Sequence, residues 1–214
     1  MRRNKQRLRD IRLYALLTES YCHHGWKWTA RELIEGGVDV LQLREKNLAD
    51  GLVLSRARKL RALTREKGCL LIINDRPDIA LLSDADGVHL GQDDLAPEEV
   101  RRLVGDEMII GLSTHNLEQA KGAAGRDADY AAMGPAFATS TKAYEEGGGP
   151  EFVQELAAAT ELPTVAIGGI NVERVPELAN TGITALAACQ ALCNTEDPRG
   201  AAGQFRKRFS ERGD

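Results

Sequence analysis

The chain has 214 residues, 43% of them hydrophobic and 28% charged, with 28 Lys and Arg against 32 Asp and Glu for a net charge of −4. This length and composition predict one soluble globular domain, or two small ones at most, with a core that needs no disulfide or metal. The slightly acidic balance argues against a general nucleic-acid binder, and no apolar run approaches the roughly 18 residues of a membrane span.

The first ten residues form a basic arm (1–10) ahead of the first apolar run. Arg2, Arg3, Lys5, Arg7 and Arg9 lie in it, and the apolar segment of a secretory signal does not follow them. We therefore expect a solvated arm. The four cysteines lack the spacing of a disulfide framework, which predicts free thiols and a cytoplasmic protein.

Short apolar runs alternate with amphipathic segments along the rest of the chain. In chain order the predicted strands are Ile11–Leu17, Val38–Arg44, Leu70–Asn74, Gly87–Leu90, Met108–Gly111, Tyr130–Gly134, Thr164–Gly168 and Ala185–Cys189. The predicted helices are Thr29–Glu35, Ala49–Lys67, Pro77–Leu82, Pro97–Val104, Leu117–Gly125, Glu151–Thr160, Val172–Asn180 and Pro198–Arg208. Asn116 and Asn171 are candidate N-caps of two of these helices.

Each predicted strand is followed by a helix, which is the pattern of a parallel sheet. Eight such units over residues 11–214 predict an α/β fold of the (β/α)8 TIM-barrel type in a single domain. The main alternative is an open doubly wound sheet. That fold normally carries a Gly-rich dinucleotide turn after an early strand, and here Thr18, Glu19 and Ser20 follow the first one instead.

The second strand ends in a run of polar residues. Side chains alternate along a strand, so Gln42, Arg44 and Lys46 share one face. Two cations and an amide on an inward face favour an anion such as pyrophosphate, for which arginine offers a planar fork. The alternative is an ion pair between neighbours on a solvated loop.

Carboxylates follow the third and fourth strands, where Asn74 precedes Asp75 and Asp94 closes a Gly-Gln-Asp-Asp run. Carboxylates at neighbouring strand ends can share Mg²⁺, which binds one or two of them together with water and phosphate oxygens. Helix capping is the alternative for Asp75 and Asp94, because each precedes a helix by a few residues.

The later strands also end in residues suited to anions. Ser113 ends the fifth, and the sixth is followed by Thr139, Thr141 and Lys142. A Gly168-Gly169 pair after the seventh strand would let backbone N–H groups approach a phosphate. The glycines Gly147–Gly149 are expected to lie in a mobile loop.

Six pieces in this order resemble the thiamine phosphate synthase family. They are Gln42–Lys46, Asn74–Arg76, Gly87–Asp94, Gly111–His115, Gly134–Lys142 and Ile167–Ile170. The resemblance implies a (β/α)8 barrel that couples hydroxymethylpyrimidine pyrophosphate to hydroxyethylthiazole phosphate and releases pyrophosphate. It also implies Mg²⁺ as cofactor and small-molecule substrates, with no nucleic acid or membrane partner. The oligomeric state stays open, a homo-oligomer included.

The resemblance also implies roles for individual residues. By it, Gln42, Arg44 and Lys46 hold the pyrophosphate with Asn74 beside them, and Asp75 and Asp94 hold Mg²⁺. The residues that would line the pyrophosphate and thiazole phosphate region are Ser113, Thr139, Thr141, Lys142 and Gly169. Arg44, Lys46, Ser113 and Lys142 would be the catalytic residues, stabilising charge on the departing pyrophosphate.

The eighth strand departs from the family pattern. Where the family commonly has a small residue and Ser in contact with the thiazole phosphate, this chain has Cys189 and Gln190. Two alternative functions stay open. One is a thiazole tautomerase in which His115 is the acid–base group, and the other is a non-catalytic barrel that binds thiamine phosphate. Cys22, His23 and His24 are a weak candidate for a metal, because adjacent residues rarely ligate one ion well.

Overall fold

The computed structural model describes residues 2–139 and 146–211, apart from the side chains of residues 2 and 3. Eight parallel strands close into a barrel in sequence order, with the last strand paired to the first. The strands are β1 Leu13–Leu17, β2 Val40–Leu43, β3 Leu70–Asn74, β4 Gly87–Leu90, β5 Ile109–Thr114, β6 Tyr130–Met133, β7 Thr164–Ala166 and β8 Ala185–Ala188. The predicted (β/α)8 architecture is confirmed, and the open doubly wound sheet is excluded.

Helix α1 precedes the first strand, and the other helices follow strands and cover the outside of the barrel. They are α1 Arg2–Arg7, α2 Trp26–Glu35, α3 Asp50–Lys67, α4 Pro77–Leu82, α5 Pro97–Val104, α6 Leu117–Gly122, α7 Gly149–Ala158, α8 Val175–Leu178, α9 Gln190–Cys193 and α10 Pro198–Ser210. Asn116 and Asn171 both act as N-caps and accept hydrogen bonds from the backbone N–H three residues on. In the described parts of the chain, no helix is long and apolar enough to cross a membrane.

One predicted helix has a different form. The segment predicted as Val172–Asn180 consists of a 3₁₀ turn at Val172–Arg174 followed by the four-residue α8. Pro176 has no backbone N–H, so the hydrogen bond that would join an α-helical first turn to Val172 cannot form. The segment therefore begins with the tighter turn.

The strands are buried on both faces, as parallel strands of a barrel must be. One set of side chains packs against the helices and the other fills the barrel, where Tyr14 and Tyr130 are the largest. Gly111 lies opposite Tyr130 in the register of β5 and β6. A Cβ on Gly111 would lie 2.1 Å from the Tyr130 ring, so the absence of a side chain there makes room for the tyrosine.

Three aspartates close the N-terminal end of the barrel. Each aspartate lies immediately before β2, β4 or β6. Its carboxylate accepts a backbone N–H at or next to the start of the strand before it (β1, β3 or β5). The carboxylate also pairs with an arginine from an outer helix. The sets are Asp39 with Leu13 and Arg206, Asp86 with Leu71 and Arg61, and Asp129 with Ile110 and Arg101. These contacts hold neighbouring strands together at the N-terminal end of the barrel. The polar residues predicted to form the site lie at the opposite, C-terminal end.

The basic arm differs from the expected solvated segment. Residues Arg2–Arg7 form α1, and the following Leu8 and Ile11 are buried under the barrel. Asn4 donates to Asp86 at 2.8 Å, and Lys5 pairs with Asp129 at 2.8 Å. The Oδ1 atoms of these two aspartates are free to bind the arm, because their Oδ2 atoms bind the strands and the arginines. The arm therefore packs against the N-terminal end of the barrel.

Candidate functional site

A cavity of about 630 Å³ opens at the C-terminal ends of the strands. Of the residues that the sequence singles out for binding or catalysis, the cavity is lined by Gln42, Arg44, Lys46, Asn74, Asp75, Asp94, Ser113, Thr139, Gly169, Cys189 and Gln190. Thr141 and Lys142 lie outside the described residues. This is the end of a TIM barrel at which enzyme active sites lie.

The β2 side chains alternate as predicted. Gln42 and Arg44 are 2% and 8% exposed, Lys46 reaches further towards solvent, and all three face the cavity. Glu45 points away and pairs with Arg56 at 2.9 Å. Within the described residues no carboxylate lies within 4.0 Å of the Arg44 guanidinium, so the alternative of a local ion pair does not hold for it. A nearly buried cation facing a cavity is a site for an anion.

Asp75 and Asp94 face each other across the ends of β3 and β4. Burial of Asp75, followed by the negative charge of Asp94, raises the pKa of the Asp75 carboxyl, against the opposing effect of Lys46 and Arg44. The Lys46 ammonium lies 3.8 Å from the Asp75 carboxylate. Because the pKa of Asp75 is raised despite Lys46 and Arg44, the positive charge nearby does not offset burial and the second carboxylate, and a bound cation would do so.

The capping alternative for these aspartates is wrong. The helices that follow them have Arg76 and Ala96 at their N-cap positions, and neither helix receives a side-chain cap. Asp94 instead accepts the Gly91 backbone N–H at 2.7 Å within its own turn. The oxygen donors fit Mg²⁺, with two carboxylates from the protein and space for water and phosphate oxygens. No cluster of three or more His, Cys, Asp or Glu suited to a metal occurs in the described residues.

A chain of hydrogen bonds crosses the floor of the cavity. Gln42 Nε2 donates to the Tyr14 hydroxyl at 2.7 Å, and that hydroxyl lies 2.9 Å from the hydroxyl of Tyr130. The Tyr130 hydroxyl lies 2.9 Å from His89 Nδ1, and His89 Nε2 lies 2.9 Å from the Ser113 hydroxyl. Five side chains from five strands therefore hold one another in place.

Tyr14, His89 and Tyr130 were not predicted from the sequence as parts of the site. Burial raises the pKa of both tyrosine hydroxyls, which keeps them protonated as hydrogen-bond donors. Strand alternation could have placed Tyr14 inside the barrel. It lies two residues before Leu16, and both side chains line the cavity. No signal identified its partners, which come from β2 and β6.

Gln42 carries an unused acceptor. Its Oε1 is buried and has no hydrogen-bond partner, while its Nε2 is engaged by Tyr14. A buried acceptor without a partner is costly, so it indicates a missing donor. A phosphate oxygen cannot supply that donor, whereas an N–H group of a bound molecule can.

The glycines after β7 serve loop packing. A Cβ on Gly168 would lie 2.6 Å from the Pro135 Cα, and one on Gly169 would lie 2.4 Å from the Ala138 carbonyl oxygen. Both glycines also have positive φ angles. The absence of side chains therefore lets the loop after β6 cross close to the end of β7, and both glycines also line the cavity.

The glycines Gly147–Gly149 are also tied to the loop after β6. Gly148 and Gly149 donate their backbone N–H groups to the carbonyls of Pro135 and Ala136, at 3.0 and 2.8 Å. A Cβ on Gly147 would lie 2.2 Å from the Phe137 Cα. These contacts bring the glycines close to the backbone of the loop after β6 and lead into α7, and the mobility of the loop stays a prediction.

The end of β8 presents Cys189 and Gln190 to the cavity. Burial raises the pKa of the Cys189 thiol to about 11, so it is a neutral group at physiological pH. Gln190 is exposed and is the first residue of α9. His115 also lines the cavity, with Nδ1 held 2.7 Å from the Gly134 carbonyl.

Comparisons with known proteins agree with one another. A family model described as thiamine monophosphate synthase matches residues 13–192. A thiamine-phosphate synthase of Halalkalibacterium halodurans is 40% identical over 210 residues, which are 96% of this chain and 99% of that protein. One of Synechococcus sp. (strain WH7803) is 42% identical over 206 residues, or 95% of this chain. The chain spans only 58% of the length of that relative.

Solved structures with the same architecture include a thiamine phosphate pyrophosphorylase from Pyrococcus furiosus. It superposes with a TM-score of 0.88 at 33% identity and covers 95% of this chain and 98% of its own. A 3-hexulose-6-phosphate synthase superposes with a TM-score of 0.67 at 14% identity, which speaks for the fold alone.

Proposed function

Because this chain belongs to the thiamine monophosphate synthase family, we propose that it couples hydroxymethylpyrimidine pyrophosphate to hydroxyethylthiazole phosphate. The products are thiamine phosphate and pyrophosphate. The observation that carries the proposal is the cavity wall, where Arg44 and Lys46 lie beside two carboxylates, Asp75 and Asp94, that do not cap a helix. A pyrophosphate would neutralise the two cationic side chains, and a divalent cation bound with it would neutralise the two carboxylates.

Arg44 and Lys46 would bind the pyrophosphate end of the substrate. The Arg44 guanidinium is nearly buried, and its fork can donate two hydrogen bonds to phosphate oxygens. Asp75 and Asp94 are the residues that would hold Mg²⁺, which when bound supplies positive charge at the pyrophosphate. Lys142 and Thr141 belong to the same proposal by resemblance alone.

For Gln42 the geometry favours a different role from the one that the resemblance implied. Its Oε1 is an acceptor without a partner, so after a small rotation of the amide towards the cavity it would fit the amino group of the pyrimidine and not the pyrophosphate. The tyrosine and histidine network beneath it fixes the amide from the other side. The pyrimidine would therefore lie on the cavity floor, with its pyrophosphate directed towards the strand ends.

The reaction that suits this arrangement needs no nucleophilic side chain. The C–O bond to pyrophosphate breaks first, because the pyrimidine amino group donates electrons to the exocyclic carbon. The thiazole nitrogen then forms the new C–N bond to that carbon. Arg44 is nearly buried before the reaction, so it stabilises the charge that develops on the leaving group without having to reorganise, and Lys46 adds positive charge beside it.

The alternative functions have weaker support. A tautomerase would use His115, yet Nδ1 of that ring is held against the Gly134 carbonyl, and the role leaves Asp75 and Asp94 without a purpose. A non-catalytic barrel has support only from Cys189 and Gln190. In that case the cavity would still bind thiamine phosphate, but the protein would not form it, with or without Mg²⁺.

A matched pair of lysine variants tests the proposal. Lys46 lines the cavity, whereas Lys59 is exposed on the outer surface of α3. We expect Lys46→Ala to lower kcat/KM for thiamine phosphate formation by about 10²-fold, by analogy with the loss of one oxyanion donor. Lys59→Ala should leave the rate unchanged. Equal rates in the two variants would contradict the assignment of this wall to pyrophosphate.

A further inference from the structure

The hydrogen-bond chain on the cavity floor has one end at Gln42 and the other at Ser113. Its four contacts, from Gln42 Nε2 through Tyr14, Tyr130 and His89 to the Ser113 hydroxyl, measure 2.7, 2.9, 2.9 and 2.9 Å. None of the five side chains is more than 8% exposed. Because buried polar groups need partners, each hydrogen on the chain must point at an acceptor within it or into the cavity.

The amide of Gln42 sets the direction at the first contact. Its Nε2 can only donate, so the Tyr14 oxygen accepts there. Both tyrosines stay protonated, since burial raises the pKa of each hydroxyl. Among the described residues, the Tyr14 hydroxyl has hydrogen bonds with Gln42 and Tyr130 alone. Its one hydrogen therefore has a single acceptor, the Tyr130 oxygen.

The same accounting carries the direction to the other end. The Tyr130 oxygen accepts from Tyr14, so its own hydrogen points at His89 Nδ1, which must be the ring nitrogen without a hydrogen. His89 Nε2 then carries the hydrogen and donates to Ser113 Oγ at 2.9 Å. The hydrogen of Ser113 is left for a molecule in the cavity, which this residue lines.

The reverse direction satisfies fewer buried groups. With the Gln42 amide as it lies, a Tyr130 hydrogen directed at Tyr14 would leave the Tyr14 hydrogen without an acceptor. Turning the amide round would remove that conflict, because Oε1 would then accept from Tyr14. It would also place Nε2 where Oε1 now has no partner. A buried N–H group without an acceptor is rarer than a carbonyl oxygen without a donor.

We propose that His89 is a positioning residue whose Nε2–H tautomer holds the Ser113 hydroxyl as a hydrogen-bond donor towards the cavity. The inference rests on the proposed function for the identity of the acceptor, which is an oxygen of the pyrophosphate. A serine that donated to His89 instead would turn its lone pairs to the cavity and repel that oxygen, whereas a donor binds it strongly. One direction along the chain thus gives an acceptor at Gln42 and a donor at Ser113.

The tautomer of His89 tests the direction in the wild-type protein without any substrate. Nitrogen-15 NMR of labelled histidine rings distinguishes a nitrogen that carries a hydrogen from one that does not. The chain has four histidines, so the His89 signals are those that persist when His23, His24 and His115 are each replaced by Asn. We expect a hydrogen on Nε2 and none on Nδ1 at neutral pH. A hydrogen on Nδ1, or on both nitrogens, would overturn the proposal whether or not the protein forms thiamine phosphate.

A matched pair of substitutions tests what His89 does for the reaction. Gln and Leu are similar in size, but only the Gln side chain can place an N–H group near the position of the imidazole Nε2 and donate to Ser113. We expect kcat to be about 10- to 10²-fold lower in His89→Leu than in His89→Gln. A role in packing alone would lower both rates alike, so equal kcat values in folded variants would contradict the proposal.

The two experiments fail separately. If the wild type forms no thiamine phosphate, the proposed function is wrong, and the wild-type tautomer still decides the direction of the chain. If the wild type is active and Nδ1 carries the hydrogen, the role of His89 is wrong and the proposed function stands. Thermal unfolding shows whether both variants fold, and where one does not, the wild-type tautomer alone decides.

Discussion

Replacing Asp75 by Asn is expected to stabilise the metal-free protein while it removes activity. Attraction to the Lys46 ammonium at 3.8 Å is about 4 kcal/mol at an effective dielectric of 20. Repulsion from Asp94 is of similar size, and both partners are exposed, so screening reduces both. Burial of the carboxylate therefore decides the sign, and it penalises the charged form. Asn also tolerates the positive φ angle of this position.

We expect a gain of about 1 kcal/mol, which corresponds to a Tm increase of about 2–4 °C for a chain of this length. The gain depends on pH with a definite sign. Because the folded-state pKa of Asp75 is raised, the wild type has no penalty below the unfolded pKa of about 3.9, and the penalty appears as pH rises through the folded pKa. The advantage of Asp75→Asn should therefore be small near that pH and largest at neutral pH.

Thermal unfolding in EDTA across this pH range measures the effect, with Asp78→Asn as a control of opposite sign. Hydrogen bonds from Arg76 lower the pKa of Asp78. That carboxylate therefore stabilises the fold above its unfolded pKa, and its loss should lower the Tm at neutral pH. In Mg²⁺ the wild type should gain stability and Asp75→Asn should not. A Tm of Asp75→Asn at or below that of the wild type at neutral pH in EDTA would refute the reasoning.

Three further outcomes are expected. Lys142→Ala should lower kcat by about 10²-fold and leave the unfolding midpoint unchanged, which turnover and thermal unfolding together check. Gly111→Ala should lower the free energy of unfolding by about 1–3 kcal/mol in chemical denaturation, because the new methyl group would overlap the Tyr130 ring; an unchanged midpoint would contradict the packing described. Tyr14→Phe removes the hydroxyl that holds Gln42 and should cost about 1 kcal/mol of stability. It should also raise the KM for the pyrimidine more than it changes kcat, and a change confined to kcat would argue against the assignment of Gln42.

The facing of the side chains at the end of β2 could be predicted, because the alternation along a strand depends on neighbouring residues alone. The period of two along β2 placed Gln42, Arg44 and Lys46 on one face, and the structure has them there. The closed barrel followed from counting eight strand–helix units. Local patterns could not decide whether Asp75 and Asp94 bind Mg²⁺ or cap helices. Capping depends on the residue at which each helix begins, and sequence patterns leave that open by one or two residues.

Features that depend on barrel closure could not be predicted. The contact between Tyr14 and Tyr130 joins residues 116 positions apart, and no local pattern pairs them. The N-terminal arm was misjudged for the same reason, because its partners, Asp86 and Asp129, come together only when the strands align. The close approach of the loop after β6 to the glycines after β7 was also not predicted, because that loop follows another strand.

Turnover by the wild-type protein tests the central claim most directly. The purified chain is mixed with hydroxymethylpyrimidine pyrophosphate, hydroxyethylthiazole phosphate and Mg²⁺, and thiamine phosphate and pyrophosphate are measured, with EDTA as control. We expect both products to form in equal amounts. Omission of either substrate should abolish thiamine phosphate formation, and EDTA should suppress the reaction. No thiamine phosphate in the complete mixture, together with a higher Tm when thiamine phosphate is added, would contradict the central claim and favour a binding protein.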